Sequence, residues 1–228
     1  MLNENIGLVE RIYKCRQVLS EMMGARGYDT LPLDNESIME VYTYYESRKV
    51  SNIGGTALDF ALTKGNSEKE EDKAIGMFFV DGKTRAINNV LKEVNQGIKD
   101  YGAKTFILIT NQDIYERAEN EKLSSLQLEL EILIGEMESK GYFIQIFTLR
   151  SLLFNVTKHI YVPDHQIISD EEYEKLAKKF NITSKLQFKT IRRNDPVAKF
   201  IGMKRNDICK IIRNSPSAGT YTSYRRCK

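Results

Sequence analysis

Three short apolar runs constrain the fold of this 228-residue chain most: "AIGMFFV" at 74–80, "KTFILIT" at 104–110 and "YFIQIFTL" at 142–149. Each has the length of a strand and is almost continuously apolar. Such strands are buried on both faces, as in a parallel sheet with helices above and below. The intervening segments fit that arrangement. "TRAINNVLKEVNQGIKDYG" places Ile87, Val90, Leu91, Val94 and Ile98 on one helical stripe. "SSLQLELEILIGEMESKG" is helical in period, although "LQLELEIL" also alternates like a strand. Strand, helix, strand, helix, strand predicts an α/β domain with a parallel sheet.

Ahead of this core, "LVERIYKCRQVLSEMMGARGY" carries Leu8, Ile12, Val18, Leu19, Met22 and Met23 near helical spacing, with Gly24 and Gly27 as stop signals. "PLDNESIMEVYTYYES" predicts a second, shorter helix capped by Asp34 or Asn35. From Val50 to Asp72 the chain turns polar and predicts a loop or frayed hairpin. The glycines of "NIGGTALDF" follow no strand, so they mark a turn rather than a nucleotide cradle.

The pattern changes near Asn155, which divides the chain into domains of residues 1–155 and 156–228. In the second, Ser169 with Glu172 three residues on makes a capping box for a helix reaching Phe180. "LQFKTI" predicts a short strand. Asp195 caps a one- or two-turn helix with Pro196 at its first position. "DICKIIR" and "GTYTSYRR" complete a small α+β module with a mixed sheet. A module this small needs a partner for full stability.

Charge follows the same division. Residues 158–228 hold 16 Lys+Arg against 7 Asp+Glu, a net +9, while the preceding 157 residues carry −6. A basic module of this kind faces nucleic acid, an acidic protein surface, or only solvent. No apolar run approaches the roughly 18 residues that span a bilayer, so no membrane partner is expected. The N-terminus lacks the order of a signal peptide, and the expected setting is intracellular. Cys15, Cys209 and Cys227 are expected as free thiols. His159 and His165 lack a third ligand, so neither a metal site nor a bound cofactor is expected.

One stretch offers catalysis. "FFVDGK" puts Asp81 two residues before Lys83 at the end of an apolar strand, as in restriction-type nucleases that hold Mg²⁺. Asp59 is a candidate second carboxylate. The competing reading, which we favour, is an Asp-Gly turn. The basic module lacks a helix-turn-helix, a zinc finger or the aromatic-studded strand of an RNA-recognition motif. A free-standing DNA-binding protein is a third reading.

"RRNDPVAKFIGMKRNDICKIIRNSPSAGTYTSYR" closely resembles the C-terminal domain of the fifth subunit shared by eukaryotic RNA polymerases, and the single-domain archaeal counterpart of that domain. The pieces carrying the resemblance are "DPVAKF", "GMKR", "CKIIR", "SPSAG" and the final "YR", with "YVPDHQIIS" resembling the family's opening segment. "RIYKCRQVLSEMMGARGY" and "MFFVDGK" resemble the eukaryotic jaw domain, and "VSNIGGTALDFALTKGNSEKEED" does so less. The resemblance implies a nuclease-like three-layer α/β jaw without a retained active site, followed by an α+β assembly domain. It implies a non-catalytic polymerase subunit that docks on the largest subunit, with the jaw beside downstream duplex DNA contacted without sequence preference. Where the family has Gly after its Lys-Arg pair, this chain has Asn206, and φ > 0 is expected there.

On this reading Arg192, Arg193, Lys199, Lys204, Arg205, Lys210 and Arg213 are candidates for the partner interface, for general attraction to acidic protein or nucleic acid, or for solvation alone. The compartment is the nucleus for a cellular chain. Isoleucine (23) outnumbers valine (10), and lysine (21) outnumbers arginine (13), which fits an A+T-rich genome such as that of some protists or large DNA viruses. A cytoplasmic virus would place the chain in host cytoplasm or virion.

Overall fold

The computed structural model describes residues 2–50, 57–65, 69–79, 94–95, 97–111, 125–215 and 219–228. The chain divides into two compact units, Met1–Phe154 and Asn155–Lys228.

In the first unit, helix α1 (Leu2–Ala25) buries Ile12, Cys15, Leu19, Met22 and Met23, a stripe at spacings of three and four. It ends at Gly27, whose φ of +85° closes the turn in a conformation that glycine adopts without strain. The expected second helix is two: α2 (Leu31–Asp34) and α3 (Ile38–Val50). The cap is neither Asp34 nor Asn35. Ser37 accepts the Glu40 N–H at 3.3 Å and donates its own N–H to the Glu40 carboxylate at 2.6 Å. Asp34 instead accepts from the hydroxyls of Ser20 and Thr30, which hold its carboxyl below the usual range.

The three apolar runs form β2 (Lys73–Phe79), β3 (Thr105–Thr110) and β4 (Phe143–Thr148), parallel and adjacent in that order. The ambiguous "LQLELEIL" lies in helix α4 (Ser125–Ser139). Residues 97–101 are helical as expected; most of the remainder of that predicted helix lies outside the described residues. One sheet face carries Ile75, Met77, Phe106, Leu108, Ile144 and Ile146, which pack with Val94 and Met137. The other face carries Phe78, flanked by Arg16 of α1, and Gln145, which accepts a hydrogen bond from Arg26 in the turn after α1 at 2.8 Å. Helices therefore lie on both faces, and the unit is an α/β domain in three layers.

A fourth strand, β1 (Phe60–Thr63), lies in the segment expected to be a loop or frayed hairpin. It lies antiparallel on the edge of β2, with Phe60 directly opposite Gly76. The pairing depends on that glycine: a Cβ there would stand 2.1 Å from the Phe60 ring.

The second unit has a four-stranded mixed sheet in the order β5 (Asp164–Ile167), β7 (Ile208–Ser215), β8 (Gly219–Cys227), β6 (Lys189–Ile191). Only β6 and β8 run parallel. Helix α5 (Asp170–Phe180) begins at Ser169, whose hydroxyl accepts the Glu172 N–H at 3.2 Å. Helix α6 (Pro196–Phe200) begins at Asp195, which accepts the N–H groups of Val197 and Ala198 at 3.0 and 3.3 Å. Both cap residues are those expected, but at Ser169 the expected capping box is only half formed, since the Glu172 carboxylate meets Lys210 rather than the Ser169 N–H. "LQFKTI" gives a strand only at its end, because 185–187 form a 3-10 turn with its own capping box. The core is small: Ile191, Ala198, Met203, Cys209, Ile211 and Cys227.

Candidate docking surface

The seven basic residues fall into three local settings. Arg192 and Arg193 lie on the turn between β6 and α6. The Arg192 carbonyl accepts the Asp195 N–H at 3.0 Å, and the Arg193 N–H reaches the Lys228 carbonyl at 3.2 Å. Lys199 lies on α6. It is half-buried, and this burial pushes its pKa down to about 8, with the nearby Arg193 charge acting in the same direction. Arg193 and Lys199 are the pair that the fold brings together.

Lys204 and Arg205 occupy the turn before β7. The Lys204 N–H donates to the Asp207 carboxylate at 2.7 Å, and the Asp207 N–H returns to the Lys204 carbonyl at 3.1 Å. Burial raises the Asp207 pKa, and this hydrogen bond opposes the shift. Asn206 completes the turn at φ +71°, the left-handed conformation expected where the family has glycine. Its side-chain oxygen accepts from Arg226 at 2.8 Å, tying the turn to β8.

Lys210 and Arg213 lie on β7 three residues apart, so they occupy opposite sheet faces. Lys210 is opposite Tyr224 and is 3.4 Å from Glu172 of α5. Tyr224 continues into a chain of rings, 6.5 Å to Phe188 and 6.3 Å from there to Tyr173, with the Lys185 ammonium 4.9 Å from the Tyr173 centroid. Arg213 is exposed and opposite Tyr221. Arg192, Lys204 and Arg205 are also exposed. A solvent-accessible lysine–carboxylate pair such as Lys210–Glu172 contributes about 0–1 kcal/mol to stability.

Sequence reasoning missed Arg225 and Arg226, which bring two more basic side chains to β8 beside the turn. The signal was present in "YRR", whose residues lie antiparallel to "DICKIIR". It also missed the role of Glu172, which the capping motif had already assigned to its own helix.

Of the nuclease candidates only Asp59 is among the described residues. Asp59 accepts the Phe78 N–H at 2.9 Å and so fixes the approach to β1 against β2. Asp81 and Lys83 lie outside the described residues. Among the described residues no group of three or more His, Cys, Asp or Glu is placed to hold a metal ion. No helix among them is long and apolar enough to cross a membrane. Cys15, Cys209 and Cys227 are all buried and in no disulfide.

Residues 154–227 match the family described as RNA polymerase Rpb5, C-terminal domain. Over 72 residues, 32% of this chain, it is 47% identical to DNA-directed RNA polymerase subunit Rpo5 of Pyrococcus horikoshii, and these cover 87% of that subunit. The chain belongs to the fifth-subunit family of RNA polymerases. The family likeness extends to the first unit. DNA-directed RNA polymerases I, II, and III subunit RPABC1 of Caenorhabditis elegans is 24% identical over 94% of each chain. Its namesake in Dictyostelium discoideum is 26% identical over 96% of this chain and 98% of that one.

Proposed function

We propose that this chain is a non-catalytic subunit of a multisubunit DNA-dependent RNA polymerase. Nucleotide transfer belongs to the large subunits, and this chain holds parts of the assembly together. The observation that carries the reading is the 47% identity to an archaeal polymerase subunit of which the matched residues are 87%. The second unit is the assembly domain and docks on the largest subunit. Arg192, Lys204, Arg205 and Arg213, all exposed, supply its basic rim. The first unit is the jaw, next to downstream duplex DNA. Its contact is to phosphates, independent of sequence, and weakens as salt is raised. The nucleus is the working compartment for a cellular chain on this reading.

The test is co-expression of the tagged chain with the other polymerase subunits of its source. Stoichiometric recovery of the largest subunit is expected, and its loss when residues 158–228 are deleted. Recovery of the chain alone in gentle salt would overturn the reading. Mg²⁺-dependent DNA cleavage that disappears in Asp81→Ala would establish a nuclease instead.

A further inference from the structure

The strand pairings of the second unit leave one hairpin extending past its neighbours. β5 pairs with β7 only as far as Ile212, and β6 joins β8 only from Arg225. Beyond those points Arg213, Asn214 and Ser215 pair with Tyr221, Thr220 and Gly219, and among the described residues with no other strand. The result is a two-stranded antiparallel ribbon on which Arg213, Asn214, Thr220, Tyr221 and Thr222 are all exposed.

The ribbon and its base are basic on one face. From Ile208 to Lys228 the chain carries five Lys+Arg and no Asp or Glu. Arg213 is directly opposite Tyr221, and Arg225 lies on the same face of β8, four residues and about 13 Å further along. Lys189 of β6 is directly opposite Arg225. Like charges placed opposite each other on neighbouring strands cost stability. Among the described residues no carboxylate pairs with Lys189, Arg213 or Arg225. An anion lying along this face relieves that repulsion.

Shape and chemistry decide which anion. A protein partner would be met by apolar residues at the centre of the contact, and the exposed described residues of the ribbon include no aliphatic side chain. Contacts with DNA are instead polar and strongly positive. Two strands about 5 Å apart make a ribbon that the major groove of B-form DNA, about 12 Å wide, admits, whereas the deep, narrow major groove of duplex RNA does not. We propose that the β7–β8 ribbon is a duplex-DNA contact of the second unit, its tip in the major groove and Lys189, Arg213 and Arg225 on backbone phosphates. This goes beyond the assembly reading, in which DNA lies beside the first unit, and it moves Arg213 from the docking rim to the DNA.

The experiment uses the purified full chain and a fluorescein-labelled DNA duplex of mixed sequence, with binding read by anisotropy over a series of salt concentrations. The triple variant Lys189→Gln, Arg213→Gln, Arg225→Gln is expected to bind roughly tenfold more weakly or worse, and to lower the slope of log affinity against log salt by about 3. The control Arg192→Gln, Lys204→Gln, Arg205→Gln removes the same charge from the two turns and is expected to leave that slope unchanged. Equal losses in the two triple variants, or no loss in the first, overturn the proposal. So does displacement of the DNA by polyglutamate at equal charge, which would assign the face to acidic protein, or binding of an RNA duplex as tight as that of DNA. Arg225 is half-buried, so if the first triple variant has a lower thermal midpoint, Lys189→Gln, Arg213→Gln decides, both residues being exposed, with a slope lower by about 2. An unaltered chain that does not bind the duplex also overturns the proposal. None of these results bears on recovery of the largest subunit by co-expression, and failure of that recovery would leave the DNA contact standing.

Discussion

In the first unit, β2, β3 and β4 each bury five consecutive residues. In the second, β8 passes through four exposed residues before reaching half-buried ones, and only Cys227 at its end is buried. The first sheet is held by what covers its faces. The second has a core cluster of six buried side chains and relies more on local devices: Ser169 and Asp195 as caps, and the Lys204–Asp207 turn closed on itself. A small unit with little interior has most of its residues available to touch something else. The contrast is therefore one of how each unit is held: by covered sheet faces in the first, by local devices in the second.

The strongest challenge to that contrast is Arg16. It is buried on α1 and donates to both Glu36 oxygens at 2.5 and 2.6 Å and to the Leu58 carbonyl at 2.5 Å, with Phe60 and Phe78 flanking it. Arg16→Ala leaves Glu36 without its partner and is expected to cost the first unit about 3–5 kcal/mol, measured by urea unfolding. A cost near zero would mean that the unit does not depend on this link between α1 and the sheet edge.

Next in size is Gly76→Ala. The Phe60 ring must leave its place over the glycine, at a cost of about 1–3 kcal/mol. Amide exchange should quicken in β1 before it does in β3. Equal protection in both strands would show that β1 is not held through this pair.

In the second unit the expected effects are smaller. Asp195→Ala removes a cap with two accepted N–H groups and is expected to cost about 1 kcal/mol. Asn206→Ala forces an ordinary side chain into φ +71° and loses the bond from Arg226, for a cost of about 1 kcal/mol. Asn206→Gly relieves the backbone but loses the same bond, so its stability should change by under about 0.5 kcal/mol. Losses as large as that of Arg16→Ala would erase the distinction between the units.

A further effect is one of pH. Lys199 has a pKa of about 8 when folded and 10.5 ordinarily. Between those values the unfolded chain binds more protons, so stability rises with pH across that window and is reduced below it. Lys199→Met should flatten that rise in urea titrations followed by circular dichroism. An unchanged slope would assign the rise to other groups.

The sequence made the three central strands legible because a strand covered on both faces has to be apolar throughout. The caps at Ser169 and Asp195 and the positive φ at Asn206 were legible because each is a local requirement on one residue type. The edge strands were less so: the sequence predicts only a loop or frayed hairpin around β1. β5 is "DHQI", with three of its four residues exposed, so no apolar pattern announces it. β1 is set by a glycine 16 residues away in β2, a constraint that exists only once the strands pair. The basic residues were visible in the sequence, but their division between the two faces of β7 and two separate turns was not. Nor was the exposure of Ile160 and Tyr161, 89% and 87% accessible: which apolar residues a fold leaves uncovered is decided by everything around them.

The buried thiols also make the protein its own reporter of opening. Thiolate is the reactive form, and burial suppresses it, raising Cys209 to about 11 and Cys15 further. Alkylation in the folded state therefore waits for the surrounding structure to open. Cys15 marks the first unit, and Cys209 and Cys227 mark the second. A single pulse of reagent followed by peptide mass measurement would time the opening of each unit in the same tube, free or within an assembled complex, without an introduced label.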